Sequence, residues 1–423
     1  MLKNQFALLL KREFLPLFIA QFLGAFNDNV FKNALVILIT YRLADAAGFS
    51  AQIMVTLAAG IFIFPFFLFS ATAGQLADKY EKTMLIFRVK LVEIVLMLIA
   101  VVGFYQQSMF LLMTVLFLLG VQAAFFGPLK YAILPEQLPD DELIAGNALV
   151  EAGTFLAILL GTIFGGLLIL RENGDFYISI AIVGFALCGW VSSWFIPKTV
   201  SSNTELRMNY NFMQETYRVV VYAKKRKDIF LAVVGISWFW LMGATFLAEF
   251  PVFVKDILHA NQNVVTCFFT VFSIGIGIGS LLCNKILKGK INTTYVPLGA
   301  AGVTFFTLDL CVAAAHSDFF NANLLMGMQE FLQIFMHWRI LIDVMMIAVC
   351  GGFYTVPLYA ILQQRSDKAY RARVIASNNI VNALFMVLAA IMTMLMLKLG
   401  LTVNHVFLVV GILNVGMVCY ICQ

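Results

Sequence analysis

Five polar residues stand inside an apolar run near the start of this chain. Asn27, Asp28, Asn29, Lys32 and Asn33 fall within residues 14–42, a stretch long enough to cross a bilayer. A carboxylate or an ammonium at that depth costs at least about 2.5–3.5 kcal/mol. Such groups must face a protein interior or a water-filled path, where they serve to bind or pass a polar cargo. Gln21, Asp28 and Lys32 share one helical face, at spacings of seven and four. One reading has Asp28 and Lys32 neutralise each other as an i, i+4 pair. The other gives the cluster a cargo, because the three asparagines add more hydrogen-bonding capacity than one ion pair needs. A second constellation is Asn147 with Glu151, one turn apart, and Asn378 with Asn382 at the same spacing. Asparagines there either meet a cargo or bridge helices; a glutamate is harder to explain as glue. Lys130 either faces the cargo or snorkels, and Glu249 is either cavity-facing or interfacial. Lys90 and Glu93, three apart, look like an internal pair. Asp309 and Asp343 are expected near span ends, in water.

The elements that must hold these groups follow from composition. Of 423 residues, 62% are hydrophobic and only 12% charged, too little charge for the surface of a soluble protein. The chain reads as an all-α membrane protein with twelve transmembrane helices, at 14–42, 51–77, 83–104, 109–134, 143–170, 176–197, 229–257, 262–287, 293–315, 338–362, 373–398 and 402–422. An outer-membrane barrel would show short alternating segments instead. Most of the 28 Lys and Arg fall on one side of this arrangement; Arg42, Arg171, Lys255, Arg339 and Lys398 fall on the other. That asymmetry predicts cytoplasmic N- and C-termini. The net charge of +5 then reflects topology and anionic lipid, with no nucleic acid as partner. All seven cysteines lie in predicted spans, Cys419 and Cys422 without the strand–helix setting of a redox motif. The four scattered histidines show no metal-ligand spacing, so neither a metal nor a cofactor is expected.

The chain is written twice. Phe125-Phe126-Gly127-Pro128-Leu129-Lys130-Tyr131-Ala132-Ile133-Leu134 returns as Phe353-Tyr354-Thr355-Val356-Pro357-Leu358-Tyr359-Ala360-Ile361-Leu362, 228 residues later. Ala145-Gly146-Asn147-Ala148-Leu149-Val150-Glu151-Ala152 returns as Ala376-Ser377-Asn378-Asn379-Ile380-Val381-Asn382-Ala383, 231 residues later. Two blocks in one order at near-equal offset predict a parallel six-plus-six repeat, the arrangement of the major facilitator fold. Residues 1–197 form one six-helix half, 198–228 a cytoplasmic linker, and 229–423 the second half. Within the linker, Glu205 to Lys227 suits an amphipathic surface helix. The Phe- and Met-rich stretch from His316 to Trp338 suits the opposite interface. Gly275, Gly277 and Gly279 suit close helix packing, without the βα unit of a nucleotide fingerprint.

Gly74-Gln75-Leu76-Ala77-Asp78-Lys79-Tyr80-Glu81-Lys82 resembles the major facilitator loop signature G-x-L-A-D-x-x-G-R, with Glu81 in place of its glycine and Thr83 in place of a cation. The resemblance makes Gly74, Asp78 and Lys82 candidate gating residues. Together with Gln21 to Asn29, Gly127 to Tyr131, Asn147 to Glu151, Gly351 to Leu358 and Ser377 to Ala383, it extends over nearly the whole chain. These stretches resemble the bacterial lysophospholipid transporter family, LplT-type. That resemblance implies flipping of lysophosphatidylethanolamine-type lipids from the outer to the inner leaflet of the bacterial inner membrane, for reacylation. The implied partners are lysophospholipid, membrane lipid and an acyltransferase/acyl-carrier-protein synthetase, in trans or as a fused domain. The second half looks most similar to the transporter part of such fusions. Where some relatives carry an Arg in span 7, this chain offers Glu249. Read from the buried polar residues themselves, the candidate substrate-binding set is Gln21, Asn27, Asp28, Asn29, Lys32, Asn33, Lys130, Asn147, Glu151, Glu249, Asn378 and Asn382. Three alternatives stand beside this reading. A proton-coupled exporter of a small solute or drug would use Asp28 and Glu151 as proton carriers. A membrane acyltransferase would need an H-x-x-x-x-D signature, and position 342 after His337 is Ile. A non-transporting scaffold leaves the buried charges unexplained.

Overall fold

Long apolar runs have no water to satisfy their backbone and must close every hydrogen bond within a helix. The computed structural model describes residues 5–40, 51–169, 171–316 and 325–421, and these are almost wholly helical. A 3₁₀ segment, Gln5–Leu10, precedes α1 (Leu15–Leu38), α2 (Ala51–Lys79), α3 (Lys82–Tyr105), α4 (Met109–Gln137), α5 (Asp140–Ile169) and α6 (Gly174–Ser193). A short helix, α7 (Phe212–Lys225), leads to α8 (Lys227–Val252), α9 (Gln262–Leu287) and α10 (Val296–Ala315). After the short α11 (Met328–Gln333) come α12 (Phe335–Arg365), α13 (Arg371–Lys398) and α14 (Val403–Ile421). Among the described residues the twelve long helices match the twelve expected spans; Arg42 and Cys422 lie outside them. Ten are apolar enough to count as spans on composition alone. The other two, α1 and α3, are the helices that carry Asp28 and Lys32, and Arg88, Lys90 and Glu93.

Packing follows the written repeat. In the first half α1 lies on α5, α2 on α4, α3 on α4 and α6; in the second, α8 lies on α13, α9 on α12, α10 on α12 and α14. The halves meet through α5 against α9 and α2 against α13, which are themselves exchanged by the repeat. Glycine makes the tight contacts between α9 and α12: a Cβ on Gly279 would fall 2.0 Å from the Val349 carbonyl oxygen, and one on Gly275 2.6 Å from the Ala348 Cβ.

The linker helix is α7, shorter than the expected Glu205 to Lys227. Asn211 caps it by accepting a hydrogen bond from the Gln214 amide. Its Val219 and Ala223 are buried at the end of the bundle where α2 and α13 meet, the linker end. Of the stretch from His316 to Trp338, residues 317–324 lie outside the described ones. Met326 pairs with the turn between α8 and α9, and Phe331 is fully buried, so this part packs into the protein, leaving Phe335 and Trp338 exposed. Asp343 departs from expectation. Its residue is 2% exposed, held in α12 beside Asp309, which takes a bidentate hydrogen bond from Arg339.

Candidate functional site

An unpaired charge will not stay in a bundle core, and the first half answers this with a network. The internal pair expected in α3 is present: Lys90 Nζ lies 2.7 Å from Glu93 Oε2, both side chains buried. Glu93 also accepts from Asn27 Nδ2 of α1 at 3.2 Å and Gln122 Nε2 of α4 at 3.1 Å. The Lys90 ammonium sits 4.8 Å from the centre of the Phe126 ring. Gly24 makes room for it, since a Cβ there would fall 2.3 Å from Lys90 Nζ. Gly24→Val is expected to displace that ammonium and cost about 1–3 kcal/mol, read as a lower melting temperature in detergent.

No close ion pair joins Asp28 and Lys32, although each feels the other's charge. Lys32 instead places its ammonium 4.3 Å from the ring centre of Phe62 on α2. Both residues are half-buried, and Asp28 Oδ1 has no partner among the described residues. Asp28 is close enough to interact electrostatically with Glu93, Lys32, Lys90 and Lys130. The half-buried Lys130 in turn senses Glu151. Three carboxylates and three ammonium groups thus form one electrostatic cluster.

The other polar residues of α1 are turned to the protein. Gln21 Oε1 accepts from Thr154 of α5 at 3.1 Å. Asn29 donates back to Ala25 O at 2.7 Å, and Asn33 donates to Thr162 O of α5 at 2.6 Å. The Gln21 and Asn33 bonds fix the packing of α1 on α5, and Asp28, Lys32 and Lys130 are left as half-buried charged groups.

Glu151 is buried and accepts a hydrogen bond from the Tyr131 hydroxyl. Tyr131 stacks on Tyr359 with ring centres 4.4 Å apart and 8° between planes. Trp240 Nε1 donates to the Tyr359 hydroxyl at 3.0 Å. The expected asparagine pairs do not converge on one point. Asn147 and Gln363 bond reciprocally across the halves, at 2.6 and 3.0 Å. Asn382 accepts from Ser237 at 2.7 Å, and Asn378 is buried facing Tyr359. Glu249 is half-buried with Oε2 unpartnered among the described residues, on a helix apart from the cluster. One turn beyond Glu151, Phe155 meets Phe239, Trp240 and Phe272, at 6.1, 6.0 and 6.4 Å between ring centres. Phe246, Phe250, Phe268 and Phe407 continue this aromatic wall through the second half.

At the linker end the halves are in contact. Asp78, at the end of α2, accepts from the Ala372 and Arg373 amides at 2.9 and 3.3 Å and from Arg373 Nε at 2.9 Å. It thereby caps α13, whose first amides have no helical partner. Gly74 allows this approach: a Cβ there would fall 2.8 Å from both the Ala376 Cβ and the Arg373 Cα. Lys82 behaves differently from Gly74 and Asp78. It bonds within its own half and the linker, to Glu136 at 2.7 Å and Ser202 at 2.7 Å. Ile144, Ala148, Cys283, Leu287, Val356 and Ala360 form an apolar seal between α5, α9 and α12.

Sequence reasoning passed over Gln122, Tyr131, Tyr359, Gln363 and Arg373. The two tyrosines open the repeated Tyr-Ala-Ile-Leu string and were legible as a repeat marker; Arg373 was legible only as a topological charge.

Known proteins agree with this architecture. The chain is 28% identical over 360 residues to the lysophospholipid transporter LplT of Escherichia coli O1:K1 / APEC, across 84% of this chain and 81% of that protein. It is also 28% identical to LplT of Salmonella heidelberg (strain SL476) over 368 residues, 85% and 81% of the two chains. Among solved structures, the human organic anion transporter MFSD10 (TETRAN) superposes with a TM-score of 0.75 at 9% identity, over 97% of this chain and 99% of that one. A bacterial homologue of the iron transporter ferroportin, in an outward-facing state, gives 0.69 at 12% identity over 96% and 99%. The family model of the Major Facilitator Superfamily matches residues 17–390, and with twelve long helices in two repeated halves this chain belongs to that superfamily of transporters.

Proposed function

We propose that this protein carries lysophospholipids from the outer to the inner leaflet of a bacterial inner membrane by alternating access with a lateral opening to the bilayer. The observation that carries the reading is the joining of two unlike walls. The charged cluster of the first half runs through Glu151, Tyr131, Tyr359 and Trp240 into the aromatic wall around Phe155. A cargo with a zwitterionic head and one acyl chain needs both: water disfavours its chain and hydrocarbon its head. Asp28 or Glu151 receives the ammonium, Lys32 or Lys130 the phosphate, and the aromatic wall the chain; Glu151, buried here, is reached only when the halves open. With both termini in the cytoplasm, the linker end faces the cytoplasm. An acyltransferase, in trans or fused, then receives the flipped lipid. The similarity to LplT proteins supports this choice of cargo.

The test is uptake of labelled lysophosphatidylethanolamine by proteoliposomes. Asp28→Ala and Lys32→Ala are each expected to lower flux about tenfold or more, the effect of losing one charge-assisted contact. Full activity in both variants would remove α1 from the site. Absence of lysolipid flux in the unmodified protein, with solute export driven by a proton gradient, would instead support the exporter reading.

A further inference from the structure

A cleft of ≈ 470 Å³ opens between α7, the strand of linker before it, and the first turn of α13. Its walls carry four cations, Arg207, Arg218, Lys225 and Arg373. Two carboxylates oppose them: Glu215, 4.0 Å from Arg218, and Asp78, bonded to Arg373. Arg207 and Lys225 have no partner among the described residues. Arg373 is 5% exposed; its Nε and Nη2 donate to Asp78 and Ala369, while Nη1 has no acceptor among the described residues. That Nη1 is left to the cleft, where an anion can take its donor.

The cleft is also built rigidly. Gln75 of α2 bonds both ways to the Asn209 backbone, at 3.0 and 2.7 Å. Tyr222 of α7 stacks on Tyr370 at 4.6 Å between ring centres, and the Arg373 guanidinium lies 3.7 Å from the centre of the Tyr370 ring. Guanidinium and ammonium groups converging on one cleft recognise phosphate oxygens, and the volume suits a group larger than one phosphate.

We propose that this cleft binds a phosphate-bearing anion, either an anionic lipid headgroup or a soluble phosphate compound, separately from the transported cargo. The occupant ties the linker helix to Arg373, and through it to the contact between α2 and α13.

Two probes distinguish the sources. Inorganic pyrophosphate is titrated calorimetrically into the full chain in neutral detergent. Phosphatidylglycerol is introduced into phosphatidylcholine nanodiscs, with hydrogen exchange followed over residues 206–225. At least one probe is expected to saturate. Arg218→Ala/Lys225→Ala, both exposed positions, is expected to weaken it about tenfold or more, and Arg218→Lys/Lys225→Arg to retain it. Pyrophosphate binding identifies a soluble ligand, and a response to phosphatidylglycerol alone identifies lipid. Saturation by neither probe, or unchanged binding in the alanine variant, overturns the proposal.

Discussion

Lys90→Met is expected to destabilise the protein by about 3–5 kcal/mol, the cost of leaving a buried charge without its partner. Glu93 would keep only the amide donors Asn27 and Gln122 against a full negative charge in the core of the bundle. Thermal unfolding in detergent reads the loss. Lys90→Met/Glu93→Leu should recover most of it, because an apolar pair of similar volume often replaces a buried ion pair at little cost. A single variant as stable as the unmodified chain would mean that water reaches Glu93, and that the α3 pair does not organise the first half.

Asp78→Asn is expected to open the linker end. It removes the charge behind three hydrogen bonds to the start of α13 and leaves Arg373 buried without its counter-ion. A charge-assisted bond is worth about 1.5–3 kcal/mol, so the ratio of closed to open states should fall about tenfold or more. Gln364 of α12 donates to Asp140 of α5 across the halves at 3.0 Å. Cysteines at those two positions, joined by a short bifunctional thiol reagent that spans the lost side chains, should cross-link readily in the closed protein and poorly with Asp78→Asn. Gly74→Val should act in the same direction without altering charge, by forcing α2 off Ala376 and Arg373. Undiminished cross-linking in both backgrounds would show that Asp78 and Gly74 do not hold this end shut.

Much of the architecture was legible because hydrocarbon enforces it. Long apolar runs give helices, and two repeated blocks give the pairing of α4 with α12 and α5 with α13. The charged residues were legible as a set for the same reason, since each stands out against its surroundings. Their partners were not. Spacing on one helix suggested Asp28 with Lys32, and their charges do act on each other, but Lys32 also turns to Phe62 and Asp28 also senses cations from α3 and α4. Contacts between helices depend on rotation and crossing, which one-dimensional spacing does not encode. Lys90 with Glu93 was readable because it is local; Asp78 with Arg373, 295 residues apart, was not. Asp343 misled by its nearness to a span end, where Arg339 and Asp309 form a polar pocket that keeps it from water.

Tyr131 and Tyr359 occupy the same place in the two halves, yet they touch each other. Points related by a two-fold rotation can meet only beside its axis. In the proposed alternating-access cycle the ring pair can serve as a fulcrum: a tilt of the halves about it would part Asp78 and Arg373 widely while the tyrosines need only slide. In that cycle such a bearing would keep the two bodies in register, and it would place Glu151, which accepts a hydrogen bond from the Tyr131 hydroxyl, at the stillest point of the machine.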